Sequence, residues 1–456
     1  MWGMFQQRSG CAKVSPYTRW ESPYSGQQWS FESKFCSLNG YRQNAYKTQT
    51  LSDVGESYST AYPNNPNFSM IKNNRTGQIF RELHGGWMDA TDYDRRGFHL
   101  QAVDFFTFSY LLFPENFVDN QLQIPESGDG IPDLLSEAEW GLDVWRRSQY
   151  ANGGIGGWIE ASRHEASLPW TSSEEYCLAL PSRHDSLKYA FSAARFARCL
   201  RHVNTPLALA KAAIYQESAI RAFDFGADPA NRCTFDFTQD GIHWTHTEDN
   251  SEADIYVFRA AAALYVLTGQ TRFTDDLNDS SFASMVAPWT IGFEGLNYTS
   301  PELLFDLAED YPAYHAEFRA RMLEQAHSWL GYQNEHAYRW LFWGPAAKAG
   351  YVRGGYCGWG AAHPGTRGWM LVMAGKLLEG QGVHEETTHY GKRYQIEAGI
   401  DFRNAAYLAL DWAMGCNALG RSMTSGVGHN FPVWYLCSWL PVSYTHLRAH
   451  ETLSDL

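Results

Sequence analysis

Two carboxylates stand three residues apart at Asp89 and Asp92, directly after Gly85-Gly86-Trp87. At that spacing both side chains reach one side of a helical turn. A close carboxylate pair can hold one water between its members, and one member can take the water's proton. That is the base half of glycoside cleavage with inversion. The other half is an acid that protonates the departing oxygen from the opposite side. The same spacing also suits an ordinary helix start, with one Asp as cap and the other on the surface. The pair alone leaves both readings open.

A second group of residues suits binding rather than proton transfer. The chain has 18 Trp and 26 Tyr. Flat aromatic rings stack on the apolar faces of sugars, and they also fill large helical cores. Trp158, Trp244, Trp343 and Trp359 stand in segments flanked by Gly or His, where a ring can serve a cleft. Arg353, His363 and Arg367 cluster ahead of a helical pattern, and His429 follows Gly426-Val427-Gly428.

The elements that must position these residues are mainly helical. The first ~85 residues are polar and weakly periodic, which predicts long loops with little regular structure. From about Phe98 onward, apolar residues recur at three- and four-residue spacing. The spacing predicts helices over about 99–113, 131–149, 183–202, 206–226, 252–269, 313–332, 364–380 and 399–415. Loops rich in Gly, Trp and His separate them, notably 152–169 and 340–364. Strand-like alternation is confined to short pieces near 233–246. Paired helices with long loops on one side fit an (α/α) barrel or another helical toroid, and there are too many helices for a four-helix bundle.

The motifs narrow this further. Gly85-Gly86-Trp87-Met88-Asp89-Ala90-Thr91-Asp92-Tyr93 closely resembles the GGWYDAGDY motif of family 9 glycoside hydrolases. Phe5-Gln6-Gln7-Arg8-Ser9-Gly10 resembles the family's YQRCG segment, and Gly130-Ile131-Pro132-Asp133-Leu134-Leu135-Ser136-Glu137-Ala138 its GIPDILDEA helix start. Ala260 to Gly269 is similar to its WAAAELYRATG helix. Leu410 to Ser422 is similar to its LDYLLGRNPLGRS segment, and Ser425 to Asn430 to its VTGFGxN loop. The motifs occur in the family's order from Phe5 to about Pro432.

The resemblance implies an all-α (α/α)6 barrel with the cleft on its loop face. It implies inverting hydrolysis of β-1,4 bonds in a cellulose-type polysaccharide or oligosaccharide. Asp92 maps onto the catalytic base and Asp89 onto the carboxylate that positions the same water. Trp158, Trp244, Trp343, Trp359, His363, Arg367 and His429 are the expected sugar contacts. Thr91 stands where the family has Gly, which adds a β-branched side chain between the two acids. No cofactor is required. The resemblance leaves room for a structural calcium at Glu252 and Asp254, one residue out of step with the family.

After Asn430-Phe431-Pro432 the sequence leaves the family pattern, and neither the sugar-gripping His-x-Arg nor the general acid Glu follows. Residues 1–440 are expected to be a family 9 catalytic domain incomplete at both ends. Residues 441–456 are expected to be an artefactual tail, so Glu451 is not assigned as the acid. The fragment is then expected to lack its proton donor.

Composition excludes other classes. Against 36 Lys+Arg stand 50 Asp+Glu, a net charge of −14, which does not suit a phosphate backbone. No apolar run is long enough for a membrane span. The eight cysteines contain no CxxC pair, so a zinc site is not indicated, while one or two disulfides are compatible with their scatter. The N-terminus shows no signal-peptide pattern, yet the parent of such a domain is expected to be secreted or periplasmic. Two alternatives stay open. A sugar epimerase on a similar toroid would use paired histidines, for which His184 and His363 are the candidates. A non-catalytic carbohydrate-binding homologue would keep the aromatics and lose the acids.

Overall fold

In the computed structural model, the structure describes residues 2–18, 21–25, 30–35, 74–88, 94–161, 170–171, 175–239, 242–248, 250–278, 301–335, 364–387, 393–397 and 399–416. The chain divides into two compact units, one built chiefly from Met1–Phe282 and the other from Ala283–Tyr435.

The first unit carries helices α1 (Trp2–Gln7), α2 (Leu100–Leu112), α3 (Asp133–Arg147), α4 (Arg183–Val203), α5 (Pro206–Ala227) and α6 (Asn250–Thr268). The helical spacing read from the sequence gave these long helices to within a few residues. The α4–α5 hairpin shows why its ends are sharp. Ser182 caps α4 by accepting from the backbone N–H of Asp185 at 3.0 Å. Asn204 closes α4 in the left-handed conformation, Thr205 caps α5 by accepting from Ala208 N–H at 3.2 Å, and Pro206 fills the first turn. The faces that meet are lined with small residues. Ala190, Ala193, Ala194 and Ala197 on α4 and Ala208, Ala212, Ala219 and Ala222 on α5 are all buried. The Phe196 and Tyr215 rings meet edge to face across the pair, 4.9 Å apart.

The N-terminal region departs from the expected loops. It holds strands β1 (Cys11–Lys13), β2 (Ser22–Ser25), β3 (Ser30–Ser33) and β4 (Arg75–Phe80), and further along come β5 (Arg95–Arg96), β6 (Trp158–Ala161) and β7 (Tyr176–Leu178). Strands β3 to β7 form a five-stranded sheet in the order β4-β3-β7-β6-β5, parallel only between β3 and β7. These strands are two to six residues long, and β7 is buried at every position. Neither trait leaves the two-residue alternation that sequence reading detects. The expected strand pieces near 233–246 are the hairpin β8 (Thr234–Gln239) and β9 (Ile242–Thr247).

The second unit holds α7 (Pro312–Glu335), the antiparallel pair β10 (Val383–Thr387) and β11 (Arg393–Glu397), and, on either side of that pair, α8 (Pro364–Leu377) and α9 (Ile400–Ala413). Short helices lie at Thr274–Asn278 in the first unit and Pro301–Phe305 in the second. The described residues are mainly helical. None of the described helices is long and apolar enough to cross a membrane.

Candidate active site

Residues 89–93, with Asp89 and Asp92, lie outside the described residues. What the structure gives is the frame on either side of them. On the N-terminal side, Gly85 and Gly86 adopt φ values of +99° and +73°, which a residue with a side chain rarely enters. Their turn is tied on two sides. Gly85 N–H donates to Ser9 C=O at 3.1 Å, Ser9 N–H to Gly86 C=O at 2.8 Å, and Gly86 N–H to Trp140 C=O at 3.0 Å. Met88 N–H donates to Gln7 C=O at 2.7 Å, so the backbone is fixed up to the residue before Asp89.

Trp87 is held as firmly as the turn. Its Nε1 donates to Glu137 Oε1 at 2.8 Å. Its ring lies against Gly141 on α3, where an added Cβ would come within 2.1 Å of the ring carbons. Glu137 is buried, and its other oxygen accepts from Arg8 Nη2 at 2.7 Å and Nε at 3.1 Å. Arg8 also reaches Glu126 at 2.9 Å and stacks over Trp140, 4.5 Å from the ring centre. Burial would push the Arg8 guanidinium pKa down, but Glu137 and Glu126 outweigh it and hold the value above the ordinary one. The segments that resemble three separate family motifs therefore converge on one buried network: Arg8, Trp87 and Glu137.

On the C-terminal side, Asp94, Arg95 and Arg96 are buried in succession. Arg96 Nη2 donates to Asp94 Oδ2 at 2.8 Å and to Glu160 Oε1 at 3.1 Å. Arg95 Nη1 donates to the carbonyl of Leu83 and, at 3.5 Å, to that of Gly85. Arg95 thus ties the far side of the acidic segment back to the glycine turn on its near side. Burial pushes the Arg95 pKa down to about 10, with Tyr176 and Asp94 only partly offsetting it. Sequence reading missed both networks. The available signal was the charged residues at positions that helix and strand patterning marks as core, Glu137 above all.

The other expected contacts fall differently. Trp158 is a correction. Its glycine-flanked segment predicts a loop residue free to stack on sugar, but it lies on β6 at 3% exposure. Its ring packs in a core with Phe35, Cys177, Ala179, Cys233 and Phe235. Arg96 lies over it at 5.0 Å, and Phe98 meets it edge-on at 6.2 Å. Its faces are taken by protein groups. Trp244 lies on β9 paired with Phe237, and Arg367 lies in the first turn of α8, both with side chains outside the described residues. Trp343, Arg353, Trp359, His363 and His429 also lie outside them. His184, the described member of the histidine pair, packs its ring edge-on against Tyr256 at 5.0 Å.

Among the described residues, no group of three or more His, Cys, Asp or Glu side chains comes together to hold a metal ion. At the position considered for calcium, Asp254 Oδ1 accepts from Arg183 Nη2 at 2.9 Å, and the Glu252 side chain lies outside the described residues. A guanidinium already holds that oxygen of the Asp254 carboxylate.

The chain is similar to several known proteins. The chain is 24% identical over 382 residues to Endoglucanase C of Cellulomonas fimi, a match spanning 76% of this chain and 30% of that protein. It is 22% identical over 399 residues to a cellulose 1,4-beta-cellobiosidase of Acetivibrio thermocellus, spanning 76% and 40%. The chain thus spans well under half of these curated relatives. Among solved structures, a metagenome-derived glycoside hydrolase family 9 endoglucanase superposes with a TM-score of 0.62 at 22% identity, over 94% of this chain and 66% of that one. A Bacteroides ovatus GH9 structure superposes with a TM-score of 0.66 at 17% identity, over 94% and 70%. These likenesses show a shared fold. The model of glycosyl hydrolase family 9 matches residues 3–437, and the chain belongs to that family.

Proposed function

We propose that the chain cleaves β-1,4-glycosidic bonds of a cellulose-type glucan or its oligosaccharides with inversion, on an (α/α)6 barrel. Family membership supports this reading. The observation that carries it is the frame on either side of residues 89–93: Met88 N–H is bonded to Gln7 C=O, and the buried Asp94 carboxylate to Arg96. Proton transfer to a fixed water demands a fixed frame.

In this reading Asp92 is the general base, and Asp89 holds the attacking water in line. Trp244, Trp343, Trp359, His363, Arg367 and His429 are proposed to line the sugar subsites. Thr91 sits between the two acids and narrows the water position. No residue of this chain is assigned as the general acid. The engagement of Cys233 in a disulfide favours a secreted or periplasmic protein, because disulfides persist in oxidising compartments.

An aryl β-cellobioside with an acidic phenol leaving group makes the test independent of the acid, since that phenolate departs without protonation. Asp92→Asn should slow its hydrolysis by ~10²–10⁴-fold, the usual contribution of a general base. Asp89→Ala should cost as much or less. NMR of the fresh product should show the inverted anomer first. Retention of configuration, or an unchanged rate in Asp92→Asn, overturns the assignment.

A further inference from the structure

Arg183 opens α4, and its side chain is only 1% exposed. Each part of its guanidinium meets a different oxygen. Nε donates to the carbonyl of Gly226 at 2.8 Å, Nη1 to Asn250 Oδ1 at 2.5 Å, and Nη2 to Asp254 Oδ1 at 2.9 Å. Gly226 lies in the last turn of α5, while Asn250 and Asp254 lie in the first turns of α6. One planar cation therefore joins the start of α4, the end of α5 and the start of α6. Just beside it, Glu248 accepts from the backbone N–H of Arg183 at 3.0 Å and of His184 at 2.7 Å. This adds negative charge to the same end of the helices.

The acceptor set is a backbone carbonyl, an amide oxygen and a carboxylate. Those are the oxygen types that a calcium ion gathers when it ties loops and helix ends together. Here a guanidinium has gathered them. Its fork satisfies three acceptors in fixed directions.

We infer that Arg183 is a resident cation that does the work of a structural metal, so that this end of the first unit is metal-independent. The inference concerns how the unit is held and does not depend on the proposed reaction. It also bears on the site. Asp185, two residues along α4, is capped by Ser182 and comes close to Gly97, three residues after Asp94. Fixing the start of α4 therefore also steadies the packing of Asp185 against Gly97.

Thermal unfolding of the full chain in millimolar EDTA and in millimolar calcium chloride tests this. The wild-type Tm should be the same in both. Arg183→Ala should lower Tm by about 5–10 °C, because it leaves Asp254 without its cation. Arg183→Lys should recover only part of that, because an ammonium cannot span three acceptors. If Arg183→Ala does not fold, Asn250→Ala, which removes one of the three acceptors, should give a smaller fall with the same indifference to calcium. A calcium-dependent rise of the wild-type Tm that Asp254→Asn abolishes overturns the inference. So does an Arg183→Ala protein as stable as wild type.

Discussion

Around Gly85-Gly86-Trp87 the interior is ionic, with Arg8, Glu137, Asp94, Arg95, Arg96 and Glu160 all buried. In the α4–α5 hairpin, a short distance along the same unit, the facing surfaces are alanine and aromatic. The two regions solve different problems. The hairpin has only to be a wall, and close apolar packing supplies that at low cost. In the proposed reaction the turn has to position the segment that carries Asp89 and Asp92. Hydrogen bonds have direction, which apolar contact lacks, so a buried ionic network can fix an orientation. The network is expensive to bury, and its net worth to stability is small when it is complete. Its worth shows when one member is removed.

Arg8→Met breaks this contrast most severely. It leaves the Glu137 carboxylate buried with only the Trp87 N–H for company. The expected cost is about 3–5 kcal/mol, the usual penalty for uncovering one half of a buried ion pair. Urea unfolding measures it. Arg8→Met combined with Glu137→Met should recover part of the loss, because the uncompensated charge is gone while the Trp87 N–H still lacks its acceptor. A single-variant cost below about 1 kcal/mol would mean that Glu126 and solvent, rather than Arg8, settle the charge of Glu137.

The hairpin should respond to volume and not to charge. Ala219 lies on the buried face of α5. Ala219→Leu should cost about 1–3 kcal/mol by forcing the helices apart. Ile214, on the same helix, is 51% exposed, and Ile214→Ala should change the urea midpoint little. Equal effects from the two variants would show that the helices do not meet along the alanine face.

This contrast also explains what the sequence could reveal. The hairpin was readable because helical periodicity and its Asn204-Thr205-Pro206 link are local signals. The sheet was not, because β3 and β7 pair across more than a hundred residues, both are short, and β7 is buried throughout. The resemblance proposes the acidic pair, which lies outside the described residues, but the buried network beside it has no local signal. Arg8 and Glu137 stand in separate motifs, and nothing in either motif says that they meet. Trp158 departs from its expected place for a related reason. Glycine neighbours suggested an open loop, whereas the Cys233–Phe235 core and Arg96 enclose the ring from distant parts of the chain.

The smallest expected effect lies where the two regions join. Asp143 on α3 accepts from Arg146 Nε at 2.6 Å, from Arg147 Nε at 2.8 Å and from the Tyr215 hydroxyl of α5 at 3.1 Å. Arg147 in turn donates to the carbonyls of Glu82 and His84, at the start of the glycine turn. Burial pushes the Asp143 pKa up, but Arg147 and Arg146 outweigh it and hold the value below the ordinary one. A carboxylate with a depressed folded pKa adds stability above its unfolded pKa of about 3.9. That stability is lost as pH falls through the folded value. His84 is also depressed, by burial first and then by Arg147, so its own loss comes earlier, as pH falls below about 6.5. Stability should therefore decline in two steps on acidification. Asp143→Asn should remove the lower step, about 0.5–1 kcal/mol, and slightly deepen the upper one, because the Asp143 charge partly offsets the depression of His84. His84→Asn should remove the upper step and leave the lower. Urea midpoints measured from pH 7 down to about pH 3 separate the two. A lower step that survives in Asp143→Asn would show that the join is held by packing of Tyr215 and not by its ion pairs.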